Sequence, residues 1–162
     1  MMTKLQKILI AFATLLLIAA CSSATKRQFD PSVFAGVRTI ELKDATDPVL
    51  LASTGAKQVS TYLEVGLGHL GYSICRDCKS DAVATVTVDE YSTKQTTKRD
   101  WLGWGNVNYA AQAESNWTLT ITRNGGTIYQ KQLEDRELMS IDQLAGQQVQ
   151  DALREIPARQ KE

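Results

Sequence analysis

Histidine is nearly missing from this chain: His69 is the only one in 162 residues. Structural zinc takes four cysteine or histidine ligands. Here His69, Cys75 and Cys78 offer three, with Asp77 the only nearby fourth, so no metal is expected. Net charge is missing too, since 18 basic side chains balance 18 acidic ones. A nucleic-acid binder shows a basic excess or stripe, and that class of partner is excluded. The chain contains no nucleophile elbow, phosphate loop or HExxH stretch. Gly66, Gly68 and Gly71 do spell a GxGxxG pattern, but they close a predicted helix, whereas a dinucleotide fingerprint follows a strand and opens one. The expectation is a protein that is not an enzyme and carries no cofactor. Its most apolar stretch, Ile8 to Ala20, is 13 residues long, short of the roughly 20 that span a bilayer as a helix.

That stretch has its own meaning. Lys4 and Lys7 precede it, and the small residues Ala19 and Ala20 lead into Cys21, which is the layout of a secretory signal peptide. Leu17-Ile18-Ala19-Ala20-Cys21 resembles the lipobox of bacterial lipoproteins. The resemblance implies cleavage before Cys21 and acylation of that cysteine on its sulfur and its new amine. Three acyl chains exceed the two signals that stable membrane anchoring needs. Ser22 after the cysteine, in place of aspartate, implies the periplasmic face of the outer membrane. The chain then divides into a signal peptide (1–20), a lipidated cysteine with a flexible tether (21–36), one periplasmic domain (37–157) and a short tail (158–162). Loss of the leader leaves 142 residues with 16 basic and 18 acidic side chains, enough for one domain with its own core. Cys75 and Cys78 remain as an even pair, which in an oxidising compartment reads as a disulfide.

Hydrophobic periodicity gives the elements. Val37 to Leu42 alternates as a first strand. Asp47-Pro48 has the form of an N-cap with proline at the first helical position, and one long helix follows. Its apolar stripe is Val59, Tyr62, Leu63, Gly66, Leu67 and Leu70, closed by Gly71 as a left-handed cap. Gly66 and Gly68 are placed to allow close approach to the sheet. Ala82, Ala84, Val86 and Val88 alternate with polar residues as a second strand, and Trp117, Leu119 and Ile121 as a third. Asn124-Gly125-Gly126 turns a tight hairpin into a fourth, Thr127 to Leu133. Ser140 and Gln143 form a capping box, with Met139 placed to staple against Leu144. The last helix carries Ile141, Ala145, Val149, Ala152, Leu153 and Ile156 on one stripe and stops by Pro157. The predicted fold is α+β, a two-layer sandwich in the order β-α-β-β-β-α, with two helices on one face of a mostly antiparallel four-stranded sheet. The other sheet face is rich in threonine and is left open to water or a partner.

Two stretches stand out for chemistry. Cys75-Arg76-Asp77-Cys78 has redox spacing, but a reactive thiol usually sits at a helix N-terminus, and this pair follows a helix end. A structural bridge that stiffens the turn is the better reading. Lys98-Arg99-Asp100-Trp101-Leu102-Gly103-Trp104-Gly105 joins two strands and concentrates basic, aromatic and glycine residues. Trp and Arg are enriched in interface hot spots, and tryptophan also suits the membrane interface. Arg99, Trp101, Leu102 and Trp104 are therefore the candidate partner-binding residues; the competing reading packs both tryptophans over the sheet edge.

Leu70-Gly71-Tyr72, Asp81-Ala82, the hairpin and the terminal helix give an element order that resembles small outer-membrane lipoproteins. Among these are the lipopolysaccharide-assembly lipoproteins (LptE) and penicillin-binding-protein activators of the LpoB type. Ser22-Ser23-Ala24-Thr25 stands where the former family has an aromatic and glycine-rich segment, which argues against insertion into an outer-membrane barrel. Phe29-Asp30-Pro31 to Thr39-Ile40 is similar to an uncharacterised lipoprotein domain, which implies no activity. The resulting expectation is a non-catalytic envelope lipoprotein, tied to the membrane by its lipid, that binds a protein partner or helps assemble a complex. The alternatives are a thiol-disulfide protein using Cys75 and Cys78, and a small lipid or glycan carrier.

Overall fold

The computed structural model describes residues 29–54, 56–99 and 107–159. It is an α+β fold with one mixed five-stranded sheet and three helices. The strands are β1 (Thr39–Asp44), β2 (Ser73–Cys75), β3 (Ala82–Arg99), β4 (Val107–Arg123) and β5 (Gly126–Glu137), and the helices are α1 (Pro48–Thr54), α2 (Lys57–His69) and α3 (Ile141–Leu153). Across the sheet the order is β2-β1-β3-β4-β5.

The expected antiparallel four-stranded sheet is thus corrected in two ways. A fifth strand exists, and β1 runs parallel to both its neighbours, with Thr39 opposite Ser73 and Ile40 opposite Ala82. β2 has only three residues, too few for a period of two to register. The six-residue link from Cys75 to Ala82 returns the chain to the start of β1. There the Asp81 carboxylate accepts from the backbone N–H groups of Arg38 and Thr39, both at 2.9 Å. The predicted long helix is two helices. Asp47 caps the first as expected, its carboxylate accepting the Val49 N–H at 2.7 Å. The first ends at Thr54 and the second begins at Lys57.

The core lies between one sheet face and the helices. Ile40, Ala84, Val86, Trp117, Leu119 and Ile121 from the sheet meet Val59, Leu63 and Leu67 of α2 and Ala145, Val149 and Ala152 of α3. Every one of these is buried, and each was on a predicted apolar face. Gly66 allows close approach to α3 rather than to the sheet: a Cβ built there would stand 2.2 Å from Leu153 Cδ1. Gly71 has φ +92° and ends α2, while Asn124 and Gly125 (φ 51° and 79°) make the β4–β5 turn, both as the sequence predicts. The capping box on α3 is present, with the Gln143 N–H donating to Ser140 Oγ at 3.3 Å and the Ser140 N–H to Gln143 Oε1 at 3.4 Å.

The tether expected over 21–36 is folded from Phe29 onward. Pro31–Phe34 form a 3₁₀ turn capped by Asp30. Phe34 is buried, and the Phe29 ring sits 5.2 Å from that of Tyr129 and 6.0 Å from that of Phe34. Two phenylalanines in a polar stretch supply the apolar area that fixes it to the core.

Candidate functional site

β3 and β4 outrun the rest of the sheet. β1 leaves β3 at Val86, and β5 leaves β4 at Ala113. From there Lys94 pairs with Gln112 and the ladder continues to Arg99 opposite Val107, six residue pairs without a third strand. At about 3.3 Å per residue the ribbon is roughly 20 Å long. A two-stranded ribbon is marginal by itself in water, so its base must be held. Glu114 does this. It is 4% exposed, bonded to Lys94 Nζ on β3, and accepts Arg136 Nε on β5 at 2.7 Å. The Lys94 bond, desolvation notwithstanding, together with Arg136, holds the carboxyl below the usual glutamate range. One carboxylate thereby joins three strands where the ribbon leaves the sheet.

Just beside that base the bulge at Val88/Glu90 interrupts the β3–β4 register. On the other edge of β3, beyond the end of β1, the Val88 N–H donates to Thr46 Oγ1 at 2.9 Å, on a threonine 5% exposed. Beneath β4, a polar group crosses the core. Trp117 Nε1 donates to Gln148 Oε1 at 2.7 Å, and Gln148 Nε2 reaches Asp135 Oδ2 at 3.2 Å and the Ser115 carbonyl at 3.4 Å. Gln148 occupies a buried position of the α3 stripe, between Leu144 and Ala152. A glutamine at an apolar position of the helix period is its sequence signal.

Arg99 ends β3 at the far end of the ribbon. Trp101, Leu102 and Trp104, in the link between β3 and β4, lie outside the described residues, as does Cys21. Cys75 and Cys78 are brought together as a disulfide, with Cα atoms 6.1 Å apart. The bridge closes the turn after β2, where Asp77 takes φ 53° and Arg76 pairs with Glu64 of α2 at 2.9 Å. It follows the C-terminal end of α2, the reverse of the helix polarity that activates a thiol. His69, at the end of α2, joins no group of metal-ligating side chains among the described residues. The two candidate stretches are far apart. Cys75 is level with Glu41, and Glu41 with Val83, which precedes Arg99 by sixteen residues, about 50 Å of strand.

No protein-family model matches the chain, and no curated protein sequence matches it. Solved structures do share its fold. PelC from Paraburkholderia phytofirmans, solved as a dodecamer, superposes with a TM-score of 0.55 at 13% identity, over 77% of this chain and 90% of that one. A variant of the same protein gives 0.53 at 13% identity, over 77% and 89%. A minor lipoprotein from Acinetobacter baumannii aligns over 76% of this chain and 98% of its own, at 15% identity and a TM-score of 0.42. At these identities the PelC likeness is one of fold.

Proposed function

We propose that this chain is a lipid-anchored envelope lipoprotein, held at the periplasmic face of the outer membrane through Cys21, that works without catalysis as a protein-binding or assembly subunit. The observation that carries the reading is the ribbon. The sheet uses twelve residues of β3, Ala82 to Thr93, yet the strand runs to eighteen, and the link at its end is the segment with Trp101, Leu102 and Trp104. Ordering a two-stranded ribbon costs conformational entropy, and burial of large aromatics against a partner offsets that cost. A binding subunit also fits a fold that is found assembled, since PelC was solved as a dodecamer.

Site-specific photocrosslinking in living cells from positions 101 and 104 tests this. The expected result is one discrete adduct, to another envelope protein or to a second copy of the chain. A Trp101→Ala/Trp104→Ala double variant should keep its urea midpoint and lose the adduct captured from position 102. Adducts spread over many unrelated proteins, or a double variant that unfolds, would defeat the proposal. Mass measurement of the N-terminal peptide checks the anchor independently, through the acyl mass on Cys21.

A further inference from the structure

The ribbon has two long edges, and one of them is complementary to itself. β1 leaves β3 at Val86, and the Val88 N–H is taken up by Thr46 Oγ1. From there to Arg99 no strand pairs with β3 on the side away from β4 among the described residues. The N–H and C=O groups of every second residue point to that edge, a template for another strand. The outer edges of the sheet are guarded by contrast. β2 has only three residues. β5 turns Lys131, opposite buried Leu119, toward the helix layer, where its ammonium bonds the Asp151 carbonyl at 2.7 Å and Glu155 at 2.9 Å. An inward-pointing charge of this kind blocks strand addition. The β4 side of the ribbon, Val107 to Gln112, contains no charged residue to fix a register.

β3 has a charge polarity along its free edge. Asp89 and Glu90, both exposed, stand at the base of the ribbon; Lys98 and Arg99 stand at its far end, with Lys94 midway. Glu90 accepts Ser92 Oγ at 3.5 Å and lies beside Glu114, which leaves its carboxylate room for a cation. Two copies of this segment laid antiparallel about a two-fold axis at Lys94 set Glu90 opposite Lys98 and bring Arg99 level with Asp89, twice over. Opposite residues of a ladder share a face, and Glu90 and Lys98 have the same parity. Lys94 meets its own copy at the axis, where each ammonium is already bound by Glu114. Moving the axis by one residue either way loses both pairs.

We propose that two copies of this chain pair edge to edge through β3 in that register. The inference rests on the ribbon as the binding element and names its partner. Two ribbons that are marginal singly become one four-stranded sheet in the order β4-β3-β3-β4, closed by a two-fold axis. The same register starts the link after Arg99 of one copy beside Val88 of the other. Val88 lines an open pocket there with Val49, Leu50, Asp47, Thr87 and Asp89, and Val49 is 75% exposed. Trp101 and Leu102 are the first apolar residues of that link, so the other copy's link is the occupant that fits this pocket.

Sedimentation equilibrium of the full chain in detergent is expected to show a dimer. Glu90→Lys and Lys98→Glu each set like charges opposite one another twice, and each should raise the dimer Kd at least about tenfold. Glu90→Lys/Lys98→Glu restores both pairs and should return Kd to within about threefold of wild type. Ser92→Cys/Thr96→Cys tests the register without charge. Those positions lie opposite each other across the axis at the Cα spacing of about 4.5–5.5 Å of an antiparallel pair, which a disulfide spans, but are about 13 Å apart along one strand. The double variant should become a covalent dimer on oxidation, and neither single variant should. A monomer at about 100 μM chain, a dimer indifferent to both charge reversals, or a double-cysteine variant that does not crosslink would overturn the proposal. A monomeric chain that photocrosslinks from position 101 to a different envelope protein overturns the pairing and leaves the protein-binding reading standing. A charge-rescued dimer whose Trp101→Ala/Trp104→Ala variant unfolds supports the pairing while that reading of the link fails.

Discussion

Two glycines of α2 only two residues apart, about 3 Å along the helix axis, carry opposite expectations. A methyl group at Gly66 meets Leu153 Cδ1, whereas one at Gly68 meets nothing within 4 Å. Gly68→Ala should therefore stabilise the protein by up to about 1 kcal/mol, the helix preference of alanine over glycine. Gly66→Ala gains the same preference but forces Leu153 off its position, and overpacking typically costs about 1–3 kcal/mol; the net result should be a lower urea midpoint. If both variants moved the midpoint the same way, the α2–α3 contact at Gly66 would be wrong. Gln148 makes a second case. It is 1% exposed and receives the buried Trp117 indole N–H. Gln148→Leu keeps the bulk and orphans that donor together with its neighbours, so a loss of about 1–3 kcal/mol is expected by denaturant titration. Gln148→Glu keeps an acceptor for the indole, but it puts a charge against Asp135, which Gln148 Nε2 now reaches, and should do no better.

At the level of elements, the readable parts were those with a repeating side-chain pattern. Ala82 to Val88, Trp117 to Ile121 and the stripe of α3 each repeat a buried position often enough to fix type and face. The Asn124-Gly125 turn was legible because it needs positive φ at both positions. β2 was not, because three residues fit any periodicity and its existence depends on β1 lying beside it. The ribbon was missed for a related reason: Lys94 to Arg99 is polar throughout, with no apolar alternation to mark a strand, and its strand character comes from pairing with 107–112. The disulfide was legible from the cysteine count, and its contribution can be bounded. The closed loop has four residues, for which the chain-entropy relation gives about 2 kcal/mol at most. Cys75→Ser/Cys78→Ser should lower stability by that amount or less and leave the far-ultraviolet circular dichroism unchanged. A loss above about 4 kcal/mol would mean that the bridge secures β2, and with it the edge of β1, rather than a turn.

Across the whole molecule, titration should set a stability plateau with two known edges. Asp81 and Asp30 are held below the usual carboxylate range, chiefly by backbone N–H donors, from Thr39 and Arg38 in the first case and Ser32 in the second. Glu114 is lowered chiefly by Lys94. A carboxylate with a depressed native pKa binds protons more readily in the unfolded chain, so its stabilisation is full above the unfolded value of about 4 and is lost as pH falls through the native one. The phenols run the other way. Burial pushes Tyr129 and Tyr91 up, the latter also through Asp142, so their contribution is complete below about pH 10 and fades above it. The urea midpoint should be level from about pH 5 to 9 and fall on both sides. Its acid limb tests where the ribbon is fastened. With Glu114 protonated, at a pH below the usual glutamate range, Lys94 and Arg136 lose their shared anion, so ribbon amides 94–99 and 107–112 should lose protection relative to the core amides before the core unfolds. Glu114→Gln should reproduce that loss of protection at pH 7 while Asp81→Asn does not. Equal protection of the ribbon in wild type and Glu114→Gln would show that the arm is held from its far end, by contacts of the Trp101–Trp104 segment, and not by the carboxylate at its base.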